Sequence, residues 1–131
     1  MILEWAVRVV AATFLLQPPL TALLAKRLGL TRAFAELSPV AQQVAQNMAV
    51  AAIALPTSAG VVIAVGAHEV VTGGSMRLLA CVFSAFWTFR LYRQALLWPL
   101  MPRAWAIGLT AIFVTQGPVF GVLIALARWL H

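Results

Sequence analysis

Three features of the sequence point to an all-α integral membrane protein with four transmembrane helices in a bundle. Of 131 residues, 63% are hydrophobic and 9% are charged, against about 45 to 50% and about 25% in soluble domains. The apolar residues fall into four runs, at residues 5–24, 44–67, 77–98 and 105–126, each close to the roughly 20 residues that a bilayer span needs. The basic residues cluster at the ends of those runs, where membrane proteins carry them. A single polytopic domain, 1–131, then accounts for the chain, with very short connections.

The first run is interrupted by Arg8 and by Gln17-Pro18-Pro19. Its basic cluster, Lys26-Arg27, follows the apolar stretch, so it reads as a retained span and not as a cleavable signal. Gly29 can stop it. In the polar interval that follows, Thr31 can cap a short segment in which Leu30, Phe34 and Leu37 share a face and Arg32 and Glu36 stand four apart. That pattern fits either a short helix lying in the headgroup region or a plain linker. Ser38-Pro39 supplies a cap and first turn for the second span, which begins with Gln42, Gln43, Gln46 and Asn47, contains Pro56 and ends at His68-Glu69. Val70 to Ser75, with Gly73-Gly74, reads as a tight turn. The third span runs from Arg77 to Trp98, carries Arg90 and Arg93 in its last turns and is closed by Pro99 and Pro102. The fourth contains Gln116-Gly117-Pro118.

Charge orients this frame. Nine Lys and Arg face three Glu and no Asp, a net charge of +6. The placement of the basic residues at span ends excludes nucleic acid as a partner and points to membrane lipids. Lys26, Arg27, Arg32, Arg90, Arg93 and Arg103 fall on one side, and Arg8, Arg77 and Arg128 on the other. The positive-inside rule then puts both termini outside the cytoplasm. Abundant Ala and eight Arg to one Lys point to a bacterial inner membrane. Cys81, alone inside a span, reads as a small core residue that forms no intrachain disulfide.

Polar groups inside a span are costly and mark the candidate sites. Gln17 and Gln116 lie mid-span beside Pro19 and Pro118, in two copies of the pattern Ala-x-Phe-x-x-Gln-x-Pro. They either satisfy carbonyls that the prolines free, kinking the helices, or face one another across a path. The aromatic segment around Phe83 places Phe86, Trp87, Phe89, Arg90 and Arg93 near the cytoplasmic edge. Two guanidiniums beneath aromatic rings suit the headgroup of an anionic lipid, and equally an interfacial aromatic belt with snorkelling arginines. His68 is the one candidate pigment or haem ligand, with His131 on the same expected side.

No acidic metal motif, Gly-x-Ser-x-Gly elbow, His-Glu-x-x-His or Cys-x-x-Cys is present. The size matches small four-helix multidrug exporters, but their membrane-embedded glutamate has no counterpart here, since Glu4 lies at the extreme end of its run. The leading expectation is a small noncatalytic subunit, without a cofactor, that packs in a larger membrane complex, an energy-converting one among the candidates, or against copies of itself. Close-approach patterns such as Ala45-x-x-x-Ala49 and Gly60-x-x-x-Ala64 fit that role. A small transporter or channel lined by Gln17 and Gln116, and a lipid- or quinone-processing enzyme built on Arg90 and Arg93, are the alternatives.

Overall fold

A computed structural model describes residues 2–130, and the described residues are helical throughout, joined by tight turns. Helix α1 spans Ile2–Arg27, α2 Leu30–Ala35, α3 Pro39–Val65, α4 Ala67–Thr72 and α5 Ser75–Leu97. A 3₁₀ turn at Trp98–Leu100 leads into α6, Arg103–Val114, which continues through a π-helical turn at Thr115–Val119 into α7, Phe120–Leu130.

Among the described residues, three helices are long and apolar enough to cross a membrane: α1, α3 and the continuous run Arg103–Leu130. They support a membrane location. The expected third span, residues 77–98, coincides with α5. At 23 residues and 1.5 Å per residue it is about 35 Å long, but Arg77, Arg90 and Arg93 lower its hydropathy, and it is not among the three.

Local chemistry explains most boundaries. The Ser38 hydroxyl accepts from the Ala41 amide at 3.4 Å while Pro39 occupies the first turn of α3, as the Ser-Pro pair predicts. The expected cap at Thr31 does not form. Gly29, in a left-handed conformation at φ 69°, starts α2 instead, because glycine reverses the chain after Arg27 without steric penalty. Residues 67–72, expected to be helix end and turn, form the extra helix α4. The turn shrinks to Gly73-Gly74, whose amides both donate to the Glu69 carbonyl, at 2.8 and 3.0 Å, with Gly73 at φ 110°.

One core joins these pieces. Phe14 and its neighbours on α1 meet Ala59 and Ile63 of α3, Val70 and Val71 of α4, Trp87 of α5, and Phe113, Phe120 and Ile124 of the last span. Helix α5 packs against α4, α6, the π turn and α7, whereas α3 rests chiefly on α1. Residues 39–55 of α3 include no buried side chain.

Candidate functional site

The centre of the core is polar. Trp87 is 1% exposed, and its indole Nε1 donates to Oε1 of Gln17 at 3.1 Å. Phe14, one turn before Gln17, meets the same indole edge-on, with ring centroids 4.6 Å apart and planes at 88°. Phe14 also contacts Phe120, and α1 packs directly on the π turn that carries Gln116. Gln17 and Gln116 are 1% and 0% exposed. Within the described residues, Nε2 of Gln17 and both amide atoms of Gln116 have no hydrogen-bond partner. The expectation that these amides satisfy carbonyls freed by Pro19 and Pro118 is therefore corrected. Gln17 spends its oxygen on Trp87, and Gln116 spends neither atom.

The π turn answers the second proline differently. Pro118 has no N–H to donate, and widening the helix to an i to i+5 pattern lets the chain pass it while remaining helical. The carbonyl of Gly117 accepts from Ser84 Oγ of α5 at 2.8 Å. A Cβ at Gly117 would lie 2.7 Å from the backbone N of Thr88, and one at Gly121 would lie 2.9 Å from Ser84 Oγ. Ser84 and Thr88 thus fit against Gly117 and Gly121, small residues four apart on both helices. That spacing is the standard device for close helix approach in membranes; sequence reasoning missed this contact, and the four-residue spacing is the signal that could have found it.

The duplicated pattern acquires a packing meaning. Phe14, Gln17 and Pro18 are buried in α1, and Phe113, Gln116 and Gly117 are buried in the last span. The same three positions turn inward in both copies, while Pro19 and Pro118 are exposed.

The structure divides the expected arginine and aromatic edge. Trp87 leaves it for the core. Phe86 keeps edge contact with Trp87 at 5.0 Å but is 43% exposed, and Phe89 is 60% exposed. Arg90 is half-buried, with its guanidinium carbon 5.2 Å from the centroid of Phe113, and Arg93 is exposed. Phe86, Phe89, Arg90 and Arg93 remain together on one side of α5. Trp87, about 120° round the helix from Arg93 and about 160° from Phe89, turns to the core.

His68 lies in the first turn of α4, its side chain is 72% exposed and places Nδ1 3.5 Å from Oε2 of Glu4, while His131 lies outside the described residues. No cluster of three His, Cys, Asp or Glu side chains occurs among the described residues. Cys81, expected in the core, is exposed. It lines a groove of about 590 Å³ between α5 and α7, together with Arg77 and Arg128. Gly60 packs internally, since a Cβ there would meet Leu15 at 2.8 Å. Gln43 and Asn47 are exposed and bond each other at 3.4 Å. Gln42 donates to the Ala35 carbonyl at 3.0 Å, tying α3 to the end of α2.

No family model matches the chain, and neither does any curated protein or solved structure.

Proposed function

We propose that the chain is a small noncatalytic transmembrane subunit, with α5 as its fourth span, that packs in a larger membrane assembly or against copies of itself. One observation carries this reading: the outward face of α3. Gln43, Asn47, Ala51, Ala54 and Ser58 are all exposed, and at 100° per residue they lie within about 80° of one another. A face turned to lipid has no need of small residues or amides, whereas a helix interface in a membrane is built from them. Asn47 stands eight residues beyond Pro39, about 12 Å along a helix of about 40 Å. At that depth a protein partner satisfies the amides better than hydrocarbon does.

The six to three division of basic residues supports both termini lying outside the cytoplasm, with the loop around Arg32 and the turn at Pro99 inside. Arg93, with Phe86 and Phe89, then meets anionic headgroups at the cytoplasmic surface. Gentle detergent extraction from native membranes, followed by native mass analysis, tests the reading. A stoichiometric complex with a larger membrane protein or a defined oligomer is expected. A monomer carrying only lipid at every detergent ratio counts against it.

A second reading, a small transporter, draws on the unpartnered amides of Gln17 and Gln116. Replacing Gln116 with Leu separates the two. A subunit keeps its assembly with a modest change in stability, while a transporter loses solute flux at unchanged expression.

A further inference from the structure

We propose that the groove between α5 and α7 binds one membrane phospholipid with an anionic headgroup, held at the mouth by Arg77 and Arg128. The site lies on the opposite end of α5 from Arg90 and Arg93, and the proposal does not depend on the subunit role.

The mouth is cationic by construction. Arg77 is half-buried and folded under the end of α4, where Nε donates to the Val70 carbonyl at 2.9 Å and one terminal nitrogen donates to the Val71 carbonyl. Guanidinium carries five N–H donors, so these bonds fix the group in place and leave donors over. Arg128 is exposed on the facing helix and lines the same groove. One acid, Glu69, lies against Gly74 of the groove, where a Cβ would come 2.6 Å from its Oε2. Among the described residues, neither arginine is ion-paired to it, the one such pair being Glu4 with His68. The mouth is therefore net positive and suits a phosphate oxygen.

Below the mouth the walls turn apolar and small. Leu78, Cys81 and Ala85 on α5 face Ile124 and Ala125 on α7, and the floor closes where Ser84 meets Gly121. The volume of about 590 Å³ lies within the range of small-molecule sites. Length selects the occupant. From Arg77 to Ala85 the groove follows eight residues, about 12 Å, close to the half-thickness of about 15 Å of a bilayer core. A transmembrane helix from another protein runs the full depth, whereas an acyl chain descending from a headgroup stops at the midplane. A half-depth groove beneath two guanidiniums matches the second.

Delipidated protein incubated with micelles of phosphatidylglycerol, with phosphatidylcholine of the same chains, or with glycerol phosphate alone, and then read by native mass spectrometry, tests the assignment. One phosphatidylglycerol per chain is expected, with several-fold less phosphatidylcholine and no retention of the chainless headgroup. Arg128→Gln, on an exposed side chain that leaves the fold intact, reduces phosphatidylglycerol retention about fivefold. Ala85→Phe, which fills the groove from its exposed wall, abolishes it. Unchanged retention in either variant, equal retention of the two lipids, binding of glycerol phosphate alone, or a dimer that Ala85→Phe converts to monomer overturns the proposal.

Discussion

The indole of Trp87 on α5 donates to the side-chain oxygen of Gln17 on α1, 70 residues earlier in the chain, at 3.1 Å with both groups buried. In lipid no hydrophobic force drives helices together, and close packing and interhelical hydrogen bonds do so instead; this bond and the edge-on contact of Phe14 with the same ring fix how α1 meets α5. An intramembrane hydrogen bond contributes about 0.6 kcal/mol on average and at most about 1.7. The aromatic pair adds about 0.5 to 1.5.

Trp87→Phe keeps a ring against Phe14 but removes the donor, leaving the Gln17 amide wholly unpartnered. Stability in mixed micelles should fall by about 1 to 2 kcal/mol. Adding Gln17→Leu should recover part of that loss, because the stranded amide is then gone. A double variant as weak as the sum of the two singles would show that the residues do not interact.

Gly117→Ala should destabilise by about 1 to 3 kcal/mol, since its Cβ would press on the Thr88 backbone at 2.7 Å, and backbone cannot step aside. Gly108, four residues past Ala104 on α6, has open space where a Cβ would stand, with no neighbouring atom within 4 Å. Gly108→Ala should therefore be neutral or gain up to about 1 kcal/mol. Reversal of this order in a denaturation series would contradict the close contact of α5 with the π turn.

Much of the fold was legible because a bilayer span is a length and composition signal, and α1, α3 and the last span carry it openly. Helix α4 was not legible. Its six residues lie between glycines and hold few periodic positions, so only the packing of Val70 and Val71 into the core distinguishes it from a turn. At the site, Gln17 and Gln116 announced themselves as polar residues in apolar runs. Trp87 did not, because α5 is apolar on several sides and its local sequence cannot say which aromatic turns inward. That choice belongs to Gln17, far away in the chain. The groove was hidden for the same reason, being made of small residues from two helices.

Arg77→Gln removes the cation that holds the last carbonyls of α4, a contribution of about 0.3 to 1 kcal/mol at a helix end. Amide exchange at Val70, Val71 and Gly73 should quicken, while exchange around Phe14 in α1 stays as it was. Uniform quickening through both helices would mean that Arg77 supports the whole fold and not the α4 end alone.

Orientation is tested by single cysteines at Thr31 and Ser75 in a Cys81→Ser background. With the charge division read by the positive-inside rule, Ser75 labels from outside in intact cells and Thr31 labels only after the membrane is opened. Labelling of Thr31 in intact cells inverts the topology.

Site-specific photocrosslinking in native membranes decides whether the exposed face of α3 is a protein interface. A photoreactive residue at Ala54, on the face of small residues and amides, is compared with one at Phe89, 60% exposed on α5. Ala54 should give one discrete product, identified by mass as a larger membrane protein or a second copy of this chain, while Phe89 should capture lipid. Capture of lipid alone at Ala54, with expression and helicity unchanged, would contradict an interface there.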